Sequence, residues 1–100
     1  MIKELNYINK IINLLEPLNF RLSDLLYENG RLELLVFKSE KYAIILKVVN
    51  FNLSYELDIY SNTKRIHKEK FKPNDFILNV LFEILEEFFK QELSVSKLDS

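Results

Sequence analysis

Asn29-Gly30 sits between LSDLLYE and RLELLVF, and no other feature constrains the fold as strongly. Both residue types tolerate positive φ, and a tight hairpin turn needs positive φ. Asn-Gly flanked by apolar runs is therefore the strongest short-range hairpin signal. It predicts strands over 21–28 and 31–38. Ser39-Glu40 then turns the chain into a third strand over 41–50, and Phe51-Asn52 turns it into a fourth over 53–60.

The fourth strand alternates cleanly. Leu53, Tyr55, Leu57 and Ile59 point one way, and Ser54, Glu56, Asp58 and Tyr60 the other. The third strand carries Tyr42, Ile44, Leu46 and Val48 on one face. A two-residue turn at 51–52 pairs Val48 with Tyr55, Leu46 with Leu57 and Ile44 with Ile59, which puts both apolar sets on one core face. The same register sets Lys47 opposite Glu56 on the outer face, an opposite-charge cross-strand pair.

Helices bracket this meander. Leu5, Ile8, Ile12 and Leu15 recur at helical spacing over residues 2–16, with Ile11 and Leu18 widening the stripe. Pro17 disfavours continuation. At the other end Pro73 breaks a fifth, poorer strand over 64–71. Asn74 then serves as N-cap, and Asp75 adds negative charge to the first turn. The second helix runs to about Leu93 on a stripe of Phe76, Ile77, Val80, Leu81, Ile84, Leu85, Phe88 and Phe89. Residues 94–100 are expected to fray. The expected fold class is α+β: N-terminal helix, five-stranded antiparallel meander, C-terminal helix, in two layers and one domain over 1–100.

Composition narrows function mainly by exclusion. A net charge of −1 does not steer the whole chain toward nucleic acid or anionic membrane. With no cysteine there are no disulfides, thiolate metal sites or cysteine nucleophiles. The N-terminal stretch interleaves polar residues with its apolar ones and reads neither as a signal peptide nor as a membrane span, so the expected location is cytoplasmic. Lys, Asn and Ile supply about a third of the chain while Gly and Ala occur once each, an imbalance that follows AT-rich codons. It points to a low-GC bacterium, or to a phage or plasmid of one.

Catalytic signatures are missing. One glycine cannot build a phosphate-cradling loop, and no GxSxG, DxDxDG or HExxH is present. His67 has no second histidine or cysteine at ligand spacing and reads as a solvated side chain. Glu56 and Asp58 lie about 7 Å apart along one strand face, a spacing that suits paired carboxylates. Nothing else completes such a site, and they read as the polar side of a strand. Glu83, Glu86, Glu87 and Lys90 read as a solvated helix face. No catalytic residue, cofactor or metal is expected.

Two surfaces remain. Ala43, Ile45 and Val49 turn outward beside Lys47. The second strand adds either Leu35 and Phe37 or Leu32, Leu34 and Val36. A face that is apolar where a half-wet sheet should be polar is covered by a helix, or awaits a partner, or forms a homodimer. Phe37, Ile45 and Val49 are the candidate partner-binding anchors, with Lys47 and Tyr60 at their edge. The other surface is the basic strand. Lys64, Lys68, Lys70 and Lys72 share one parity and Arg65 the other. These five are the candidate polyanion-binding residues.

The neighbouring acids argue against a nucleic-acid grip. Five cations face Glu56, Asp58, Glu69 and Asp75 across residues 53–75, and a lysine-rich strand also protects a sheet edge. A three-residue turn at Ser61–Thr63 would set Lys68 opposite Glu56; a two-residue turn would pair Ile66 with Ile59 and aim the lysines over the core. The leading expectation is a non-enzymatic protein-binding module whose partner is another protein or ribonucleoprotein complex. An inhibitor of a host or defence complex fits, in the manner of an anti-CRISPR or immunity protein. A nucleic-acid-binding domain and a secretion-type chaperone are the alternatives.

Overall fold

The structure is a computed structural model that describes residues 2–28, 30–49, 54–72 and 77–90. The fold is α+β: helix α1 (Ile2–Leu15), a 3₁₀ turn (Glu16–Leu18), strands β1 (Arg21–Glu28), β2 (Arg31–Lys38), β3 (Tyr42–Val49), β4 (Ser54–Ser61) and β5 (Lys64–Phe71), then helix α2 (Ile77–Phe88). The expected Asn74 N-cap, the Phe51-Asn52 turn, the end of the last helix and the C-terminal fraying lie outside the described residues.

The chain divides into two compact units, Met1–Phe20 with Asn74–Ser100, and Arg21–Pro73. The first is a pair of amphipathic helices in contact with each other. Ile8, Ile11 and Leu15 of α1 are buried, as are Ile77, Leu78, Leu81 and Leu85 of α2. Pro17 has no amide hydrogen for an α-helical bond, so α1 stops at Leu15 and the chain tightens into the 3₁₀ turn. Asn19 closes that turn at φ 64° and donates its N–H to Glu16 O at 2.9 Å. The reversal delivers Phe20 edge-on to Phe89, with ring centroids 5.6 Å apart.

The second unit is an open sheet in the order β1-β2-β3-β4-β5, each neighbour antiparallel. Gly30, at φ +75°, supplies the left-handed position that the β1–β2 turn needs. Ser39 closes the β2–β3 turn, its Oγ accepting from the Tyr42 N–H at 2.9 Å. The β3–β4 register is the one the alternation predicts: Val48↔Tyr55, Lys47↔Glu56, Leu46↔Leu57 and Ile44↔Ile59. Leu35, Phe37, Ile44, Leu46, Leu57 and Ile59 are almost fully buried and form one continuous face. On that face Tyr55 donates its hydroxyl proton to the Leu32 carbonyl at 2.6 Å, tying β4 back to β2.

The β4–β5 register matches neither turn reading alone. The turn has two residues, with Ser61 opposite Lys64 and Asn62 at φ 58°. One residue later the register shifts: Tyr60 faces Arg65, but Ile59 faces His67. Ile66 is thus the extra residue of a β-bulge, and it is exposed. The bulge spares β5 from aiming Lys68 and Lys70 over the core. It inverts the parity between Arg65 and the rest of the strand, so Lys68 faces Asp58 and Lys70 faces Glu56.

Candidate functional site

The outer face of the sheet has two halves. Leu34 and Val36 of β2 and Ala43, Ile45 and Val49 of β3 make the apolar half; Val36 is buried and the others are half-buried. Glu56, Asp58 and Tyr60 of β4, with Arg65, Lys68 and Lys70 of β5, make the polar half, and Lys47 stands at the seam opposite Glu56.

The expected anchors divide between the two faces. Ile45, Lys47, Val49 and Tyr60 lie on the outer face as expected. Phe37 does not: it pairs with Ile44 on the core face and is only 1% exposed. Val36, its neighbour, occupies the outer position opposite Ile45. Two bulged positions in the β1–β2 ladder, Ser23 and Glu33, leave this central stretch of β2 unbroken, so one parity rule decides it. Phe37 is therefore a core residue and not a surface anchor.

The cations are also redistributed. Arg65, Lys68 and Lys70 share the outer face, while Lys64, opposite Ser61, falls on the other side of the bulge. Lys72 is exposed just beyond the end of β5. The expected grouping of Lys64 with Lys68 and Lys70 fails because the bulge at Ile66 interrupts the alternation on which it rests. His67 turns to the core-face side opposite Ile59, half-buried, with its Nε2 3.2 Å from Glu69 Oε1.

Beneath the cations lies a buried acid pair. Asp58 is 2% exposed and Glu56 9%, although both were expected on the wet side of β4. They belong to an inner strand, so side chains on β3 and β5 flank them on both sides. Long cationic side chains cover such groups with their methylene stems while their charged ends stay wet. Arg65 Nη1 approaches Asp58 Oδ1 at 3.8 Å, and the Lys68 and Lys70 ammoniums each reach Glu56 Oε2 at 4.0 Å. Asp58 Oδ1 has no hydrogen-bond partner among the described residues. Burial pushes the Asp58 carboxyl above its ordinary value. The Glu56 charge and a hydrogen bond to Glu56 push it the same way, against Lys47 and Arg65. No group of three or more acidic, histidine or cysteine side chains gathers for a metal among the described residues.

Strand β1 carries exposure that the sequence reasoning missed. Leu22, Leu25 and Leu26 are 38%, 41% and 43% exposed, three of the five large apolar side chains most open to solvent among the described residues. The readable signal is RLSDLLYE itself, where adjacent Leu25 and Leu26 break two-fold alternation and must occupy both faces.

These features define a class: a small α+β protein with an open antiparallel meander, one outer face part apolar and part charged. No family model matches the chain, nor does any characterised protein or solved structure. No helix among the described residues is long and apolar enough to cross a membrane.

Proposed function

We propose that this chain is a small non-catalytic protein-binding module that docks a partner on the outer face of its sheet. The observation that carries the reading is one outer face on which Ile45 and Val49 flank Lys47 on β3, while Arg65, Lys68 and Lys70 line β5 on the far side of β4. Apolar area beside fixed cations suits a protein surface with an apolar centre and an acidic rim, where the apolar anchors set affinity and the charges set encounter and orientation. An inhibitor that occludes one surface of a larger host or defence complex needs nothing more than such a face. The AT-rich composition fits a phage or plasmid of a low-GC bacterium as its source.

Nucleic acid is the weaker reading. A single-strand groove combines cations with stacking aromatics, and Tyr60 is the one aromatic on the described outer face. Lys68, Lys70 and Arg65 are also partly neutralised by Glu56 and Asp58. The test is capture of partners from the host with tagged wild type, Ile45→Glu and the triple variant Lys64→Glu, Lys68→Glu, Lys70→Glu, each with and without nuclease. The proposal expects one stoichiometric protein partner that survives nuclease and is lost with Ile45→Glu. Recovery that vanishes on nuclease treatment, or that ignores Ile45→Glu and disappears only with charge reversal, overturns it.

A further inference from the structure

The two edges of the sheet are built differently. β5 is guarded in two ways: Arg65, Lys68 and Lys70 project from it and repel a second copy of the same strand, and Ile66 bulges. β1 has neither lysine nor proline, and it presents Leu22, Leu25 and Leu26 to solvent. Its charges, Arg21, Asp24 and Glu28, are of mixed sign and do not repel a second copy as a row of lysines would, and an open edge with exposed apolar side chains is a template for strand addition.

We propose that the occupant of this edge is a second copy of the chain, added antiparallel across β1 to make one continuous ten-stranded sheet about a two-fold axis. The argument is self-complementarity. Leu25 faces Leu25 of the second copy at the axis, and its flanking residues Asp24 and Leu26 face each other. Beyond them the Ser23 bulge shifts the register by one, as it already does against β2, where Leu22 faces Phe37 and Asp24 faces Val36. That shift sets Leu22 beside Tyr27 of the second copy and Arg21 opposite its Glu28. The core faces of the two copies then lie on the same side, and each Arg21–Glu28 pair occurs twice by symmetry. Opposite charges directly across an antiparallel pair stabilise it.

The same charges are poorly served within one chain. Arg21 stands opposite Lys38 across β1 and β2. Glu28 stands opposite Arg31, but the Arg31 guanidinium lies 3.7 Å from Glu33. Among the described residues neither Arg21 nor Glu28 has an ion-pair partner. The proposed register gives both of them one. The outer-face site on β3, β4 and β5 is left open, so the dimer does not depend on the partner-binding reading.

The experiment is sedimentation velocity or native mass spectrometry over a concentration series into the hundreds of micromolar. Wild type is expected to reach twice the chain mass, and Leu25→Lys to remain at the chain mass. Charge exchange tests the register. Arg21→Glu and Glu28→Arg each weaken self-association at least about tenfold. Mixing the two single variants restores a dimer as the heterodimer, because every cross-pair is again opposite in sign, and the double variant Arg21→Glu, Glu28→Arg restores a homodimer. Circular dichroism checks that each variant is folded. A wild type that stays monomeric throughout, a dimer unaffected by Leu25→Lys, or single variants that fail to complement each other would overturn the proposal.

Discussion

Arg65 Nη1 stands 3.8 Å from Asp58 Oδ1, across a strand boundary where Ile66 has been pushed out of the ladder. Without the bulge, simple alternation would place Arg65 on the face opposite to Lys68 and Lys70. With it, three cations converge over two buried carboxylates. The arrangement is asymmetric in energy: the cations are largely exposed and each pair contributes roughly 0–1 kcal/mol, whereas burial of Asp58 acts on a group withdrawn from water.

Asp58→Asn is therefore expected to stabilise the protein at neutral pH, by about 1 kcal/mol, because it removes a charge whose burial outweighs the pull of Lys47 and Arg65. The sign follows from the raised folded-state pKa. Relative to the variant, the wild-type group contributes stability that is fully present below its unfolded value of 3.8 and is lost as pH rises through the folded value. Denaturant unfolding of both proteins between pH 3 and 8 measures the difference. A variant less stable than wild type at pH 7 would show that the cations win.

Tyr55→Phe is expected to cost about 1 kcal/mol at neutral pH through loss of the buried 2.6 Å hydrogen bond to the Leu32 carbonyl. Burial, the largest cause, also raises the Tyr55 phenol pKa; Arg31 opposes it and Glu33 reinforces it. The neutral phenol's contribution is thus fully present below 10.0 and is lost as pH rises through the folded value. Spectrophotometric titration of the tyrosines should lose one late-titrating group in the variant.

Gly30→Ala is expected to cost about 1 kcal/mol although nothing lies within 4 Å of the position its methyl group would take. The cause is backbone conformation: φ +75° is disfavoured once a Cβ is present. Thermal melts should show the loss, and Gly30→Asn should recover much of it, since Asn tolerates the left-handed region better than other residues.

Ile59→Ala is expected to cost about 3 kcal/mol, because Ile59 is fully buried between Ile44 and the β5 ladder. Ile66→Thr should stay within about 0.5 kcal/mol, because the bulged side chain is exposed. Urea unfolding of the two variants gives the comparison. Comparable losses would mean that Ile66 packs in solution rather than standing free.

Strand boundaries and the β3–β4 register were legible because alternation of Leu53–Tyr60 with Tyr42–Val48 admits one pairing that buries both apolar sets. The faces of Phe37 and Arg65 were not. Phe37 and Val36 are both apolar, so pattern alone could not say which one faces the core. Arg65 depends on a bulge, which follows from how β5 must lie against β4 rather than from its own composition. The burial of Glu56 and Asp58 was invisible for a related reason: a polar residue on an alternating strand reads as wet wherever the strand sits in the sheet.

Neighbouring residues were enough to set the order of elements, the hairpin at Asn29-Gly30, the end of α1 at Pro17 and the core face of β3 and β4. These depend on local backbone preference and on periodicity, which a short stretch of chain carries within itself. Long-range packing alone set the bulge at Ile66, the burial of Asp58 beneath cations and the choice of Phe37 over Val36 for the core face. Those outcomes depend on which strand lies beside which and on how much water reaches each position, and both are properties of residues far apart in the chain.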